Sequence, residues 1–190
     1  GYALNGLPDL LRIVPDESKL RDVVRAVADF LASTVDPAGG WRYPHPRSTA
    51  LLISQGIEHA NQLCNAAEVL EERGEPVDNL IDAVETVLQA RVLGYEKTGA
   101  ILAGLGGWED AVHAIPAGKT IYDLYAKPEG RDRTRDYTEG AVGVGGAPPE
   151  GLVYFDHVLN FYLAHRPAER LFYANPQLQQ VLDRCPAPQK

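Results

Sequence analysis

From residue 36 to residue 47 the chain reads Asp-Pro-Ala-Gly-Gly-Trp-Arg-Tyr-Pro-His-Pro-Arg, its densest concentration of chemically capable side chains. Trp41 and Tyr43 bring stacking faces, His45 a ring that titrates near neutrality, and Arg42 and Arg47 planar forks for an anion. Prolines at 37, 44 and 46 and glycines at 39 and 40 restrict and shape the backbone of the same stretch. A rigid loop that carries aromatics on a regular scaffold is a setting for ligand capture. Just downstream, Gln55, Glu58, His59 and Gln62 recur on one side of an expected helix, with Ser54, Asn61, Asn65 and Glu68 beside them. Glu58 and His59 are the candidate acid and base of that face. Each of these residues also has a purely structural reading, in which Trp41 folds back to plug the end of a hairpin core and the polar helix face meets water.

Other constellations are weaker. Trp108, Asp110 and His113 form a secondary candidate, because positions 110 and 113 would share one face of a short helix and orient each other for proton transfer. The ordinary alternative is a surface contact of small worth. Asp156 and His157 are adjacent, and adjacent helical positions do not face each other. The glycines of residues 140–146 invite a phosphate reading, but no strand precedes them and no Lys-Ser or Lys-Thr follows, so a lid or hairpin tip is expected instead, able to deliver Tyr137 and Glu139 to a site. Histidine, cysteine and acidic spacings match no metal motif, so neither metal nor cofactor is expected.

Composition narrows the partners. With 18 basic against 26 acidic residues the formal charge is -8, which disfavours nucleic acid unless the cations cluster. The one dense cluster, Arg131, Arg133 and Arg135, is interleaved with Asp132 and Asp136 and reads as a solvated loop. No apolar run is long enough for a membrane span and no targeting segment opens the chain, so a soluble protein is expected, with secreted and periplasmic settings both admitted. Cys64 and Cys185 set up no disulfide framework, although a single bridge between them stays open. The chain contains no methionine and begins at Gly1, from which we expect a processed chain or a piece of a larger parent protein that supplies part of any site.

These residues depend on helices for their positions. Leu4, Leu7, Leu10, Leu11 and Val14 mark a short first helix with Pro8 near its start. Asp16, Glu17 and Ser18 then cap a second, whose stripe of Leu20, Val23, Val24, Val27, Phe30 and Leu31 stops near Thr34. A long helix is expected over 49–73, closed by Gly74, and another after Pro76 that ends at Gly94. Short helices over 108–115 and 120–126 follow, then a long irregular loop or lid over 127–149. Periodicity returns with Leu152, Phe155, Leu159 and Tyr162, and Asn175 with Pro176 caps a last helix before a frayed tail at 185–190. No stretch alternates with the two-residue period of a sheet. The expected fold is one all-α domain over 1–184, built of antiparallel helical hairpins.

A capped outer helix, then Gly39-Gly40-Trp41, then a long amide-rich helix, resembles the (α/α) toroid superfamily of six-hairpin glycosidases, polysaccharide lyases and terpenoid-cyclase-like helical barrels. The resemblance spans about the first half of the chain and implies a partial toroid or helical array, with Gly39, Gly40 and Trp41 on a funnel rim. A full toroid needs more helices than this chain has, and no Asp-rich cyclase motif or lyase signature is present. It further implies a carbohydrate or other small-molecule ligand, with hydrolase or lyase activity on an oligosaccharide or uronate polymer. Trp41 and Tyr43 would stack on the sugar, Gln55 and Gln62 would meet its hydroxyls, and Arg42 or Arg47 would hold a uronate carboxylate. Glu58 or His59 would work as acid or base, with Tyr43 or His45 as further candidates for a lyase base. The alternative of another class is a non-catalytic α-helical interaction module, or a structural part of a larger toroid.

Overall fold

Prolines and glycines punctuate the helices of this chain, and the computed structural model bears out most of those marks over the residues it describes, 2–15, 17–42, 51–52, 56–98, 102–105, 112–114 and 149–183. A 3-10 turn, Tyr2–Asn5, leads into α1, Leu7–Ile13, whose Pro8 lies in the first turn where no helical N–H is needed. Next come α2, Ser18–Ser33, then α3, Gly56–Glu71, and α4, Asp78–Thr98. After them, α5, Pro149–His165, is followed by a 3-10 turn, Ala168–Phe172, and by α6, Pro176–Asp183.

The ends of these helices follow from local chemistry. Glu17 caps α2, its carboxylate accepting from the Lys19 amide at 3.2 Å. Gly74 takes φ +73° after α3, and the Glu75 amide reaches back to the Leu70 carbonyl at 3.1 Å, satisfying a carbonyl the helix leaves open. Asn175 caps α6 by accepting from the Leu178 amide at 2.9 Å.

Three boundaries differ from expectation. The helix expected over 49–73 begins only at Gly56, because Leu51–Leu52 is a strand, and a consecutive apolar run suits either state. Gly94 lies inside α4 without ending it, since its φ is not positive and only a left-handed glycine turns the chain out of a helix. In place of a helix over 108–115, Val112–Ala114 is a strand.

That strand, β4, belongs to a small antiparallel sheet with β1, Trp41–Arg42, β2, Leu51–Leu52, and β3, Leu102–Leu105, in the order β1-β2-β3-β4. Trp41 pairs with Leu52, Leu51 with Leu105, and Gly104 with His113. Strands this short contain too few residues to display a two-residue alternation. The body of the protein is nonetheless helical, as expected.

The helices alternate in direction. Arg25 meets Pro76 and Asp29 meets Asn79, so α2 and α4 advance together. The α3 start, at Gly56, lies against Val87 of α4, so α3 runs against both. His157 meets Asn61 and Glu68 while His165 meets Glu71, so α5 runs with α3. This places α3 at the centre, touched by α1, α2, α4 and α5. Ala60, Leu63, Ala66, Ala67, Val69 and Leu70 are fully buried around its circumference, and the alanines let its neighbours approach closely. Among the described residues the helices gather round α3. None of the described helices is long and apolar enough to cross a membrane.

Candidate functional site

The loop that carries the aromatic cluster begins with a tight turn. The Asp36 carboxylate accepts from the Ala38 amide at 3.0 Å, its carbonyl from Gly39 at 2.8 Å, and its amide donates to the Gly40 carbonyl at 2.7 Å. Gly39 has φ +94°, and a Cβ there would stand 2.0 Å from the Ala90 Cβ and 3.1 Å from the Thr86 carbonyl. The glycine therefore serves both a left-handed turn and a close approach to α4. Trp41 follows it into the core, 8% exposed, its indole N–H donating at 3.0 Å to the Leu31 carbonyl, which also accepts from the Thr34 hydroxyl and amide at the end of α2. The His59 ring stacks on the indole at 5.1 Å between centroids, tilted by 25°.

Trp41, His59 and Glu58 are thus neighbours at the junction of the loop with α3, and the two α3 residues are half-buried. Gln62 is not on a polar surface: it is 1% exposed, and its side-chain oxygen has no hydrogen-bond partner. Arg42 is in β1, where only its backbone is described. Tyr43, His45, Arg47 and Gln55 lie outside the described residues, as do Trp108, Asp110, Tyr137, Glu139, the arginine cluster at 131–135, the segments 115–148 and the tail. His113, in β4, cannot share a helix face with residue 110 in the way its spacing suggested.

The remainder of the amide-rich face of α3 is taken up by α5. His157 Nδ1 lies 2.6 Å from Asn61 Oδ1 and its Nε2 2.9 Å from Glu68 Oε1, while Arg12 holds the other oxygen of Glu68 at 3.1 Å. Two turns further along α5, His165 Nε2 is 3.2 Å from the Glu71 carboxylate. His157 therefore works with α3 and not with its neighbour Asp156, which is exposed. Cys64, on the same helix, is a free and fully buried thiol, and Cys185 lies outside the described residues. Burial first and the Glu68 charge second push that thiol well above its ordinary range.

A second polar cluster was not anticipated. Arg170 grips Glu85 with two hydrogen bonds, Nε to Oε2 at 2.7 Å and Nη2 to Oε1 at 2.9 Å. The Tyr162 hydroxyl donates to Glu85 Oε2 at 2.7 Å, and Gln89 donates to the Arg170 carbonyl at 2.8 Å. Tyr162 is raised in pKa by burial and then by Glu85, and Arg170 by its bonds to Glu85. The sequence signal was a glutamate and a glutamine four apart within the buried stripe of α4. Nearby on that helix, burial lowers the Arg91 guanidinium to about 10.

An open depression of about 490 Å³ is lined by Arg25, Asp29, Glu75, Pro76, Asp78 and Asn79. Its polar groups largely satisfy one another: Arg25 donates to Glu75 and to the Pro76 carbonyl, and Asn79 donates to Asp29. Among the described residues no group of three or more His, Cys, Asp or Glu is placed to hold a metal ion. The class that fold and site define is an α-helical bundle with polar seams between its helices. No protein-family model, curated protein or solved structure matches the chain.

Proposed function

We propose that this helical body is a non-catalytic interaction or structural module. One observation carries the reading: three glutamates of the central helices are bonded across to other elements. Glu68, Glu71 and Glu85 each hold a cation or a ring from a different helix or turn, and Trp41 gives its indole N–H to a core carbonyl. A sugar platform needs an open aromatic face, whereas Trp41 is 8% exposed. Meanwhile Phe30, Phe172 and Tyr173 are 68%, 58% and 68% exposed, apolar surface of the kind partners cover.

A carbohydrate-active role is the second reading, favoured by the Trp41–His59 stack beside half-buried Glu58 and by the toroid-like Gly-Gly-Trp. Exposure of the full chain to oligosaccharides and uronate polymers, followed by product analysis and tryptophan fluorescence, separates the two. The module reading expects neither product nor saturable quenching. Turnover that Glu58→Gln abolishes at unchanged thermal stability would overturn it.

A further inference from the structure

The geometry points to a pH-dependent latch between α5 and α3, built from His157 and His165, which grips when both rings are doubly protonated. On α5 the two histidines are eight residues apart with Phe161 midway, so all three share one face. His165 shows the requirement most sharply. Its Nδ1 is 2.7 Å from the Phe161 carbonyl, and its Nε2 is 3.2 and 3.3 Å from the two oxygens of Glu71. A carbonyl and a carboxylate only accept, so both nitrogens must donate for both bonds to exist, and only the imidazolium has two N–H groups. A neutral ring loses one bond and turns a lone pair toward an oxygen. The Phe161 ring, 4.4 Å from that of His165, also gains from a cation beside it.

His157 has Asn61 Oδ1 on one nitrogen and Glu68 Oε1 on the other, the same demand so long as the Asn61 amide keeps its oxygen toward the ring, since its turned-over NH2 would serve a neutral imidazole. The charged groups around the pair are few. From α3 come Glu68 and Glu71, and from α1 comes Arg12, which shares Glu68 and also holds Asp9. On α5 itself, Arg166 is drawn away by Asp78 at 2.6 Å and Asp82 at 3.7 Å on α4, and Asp156 is exposed. The seam therefore presents each ring with one carboxylate, and Arg12 is the cation that competes. Grip is full when both rings carry two protons and is lost as they give one up with rising pH. Unlatching would release these polar ties of α5 to the central helix, while its buried Val158 and Phe161 and its Tyr162–Glu85 contact to α4 persist.

Two measurements on the full chain test this. In the native protein, imidazole ¹⁵N shifts of His157 and His165 at pH 5.5 are expected to report two N–H groups on each ring; neutral rings there, with α5 still protected from hydrogen exchange, would overturn the latch. Second, the melting temperature is expected to fall by roughly 3–6 °C between pH 5.5 and 8, with faster exchange of the amides around 157–165. The double variant His157→Gln/His165→Gln is expected to lose that slope. An unchanged slope in the variant, or no slope in the wild type, would refute the proposal, and should the variant fail to fold the ¹⁵N measurement decides alone.

Discussion

The Tyr162 hydroxyl shows how one buried atom sets a testable energy. It donates to a carboxylate that Arg170 already grips in two places, so Tyr162→Phe removes a bond to a charged group and leaves the pair in place. The expected loss is about 1.5–3 kcal/mol, read from urea unfolding. Because burial and Glu85 raise this group in the folded state, the fold binds its proton more tightly than the unfolded chain does. Its contribution is complete below the ordinary tyrosine value of about 10 and declines as pH rises above it, so wild type and Tyr162→Phe should converge in stability there. At Trp41 the expectation is similar in kind. Trp41→Phe removes one of three donors on the Leu31 carbonyl, the Thr34 hydroxyl and amide remaining, and thins the stack on His59, for a loss of about 0.5–1.5 kcal/mol. A change there without loss of stability would free the indole for the platform role it was first read to have.

Two glycines separate backbone strain from crowding at the scale of single elements. Gly39 and Gly74 both have positive φ, but only Gly39 faces atoms that a Cβ would strike. Gly74→Ala is expected to cost about 1–2 kcal/mol, for left-handed strain alone. Gly39→Ala adds the collision with Ala90 and is expected to cost about 2–5 kcal/mol in the same unfolding assay. At the start of α6, Asn175 both accepts from the Leu178 amide and donates to the Pro37 carbonyl at 2.7 Å. Asn175→Ala should therefore exceed the cost of an ordinary cap, about 1 kcal/mol, because it also unties the aromatic loop.

Across the whole molecule, polar groups are used mainly as fasteners. Arg73 reaches from the end of α3 to the Leu11 carbonyl at 2.9 Å, Arg25 from α2 to Pro76, and Arg170 to α4. Charge-assisted hydrogen bonds of this sort fix which helix faces which. The core itself comes from α3, whose alanines and leucines are covered from several sides. This is why Glu58 and Gln62, one turn apart on the same helix, end in different surroundings.

Sequence by itself determined the helices that have clear ends. Glu17, Pro8, Gly74 and the Asn175-Pro176 pair act within one turn of the chain, so their effect is local and legible. It also exposed the Gly-Gly-Trp turn and the amide-rich face of α3. What lay against that face was decided only by tertiary structure, because α5 approaches from about ninety residues away and brings two histidines to the carboxylates of α3. The same holds for Glu85, met by Tyr162 and Arg170 across distances along the chain that no periodicity records. The short sheet was invisible for the opposite reason, since its strands depend on pairing with one another and hold too few residues to carry a pattern of their own. Trp41 joins the two cases: its loop could be read from the residues, but whether the indole faced a ligand or the core depended on where the end of α2 placed the Leu31 carbonyl.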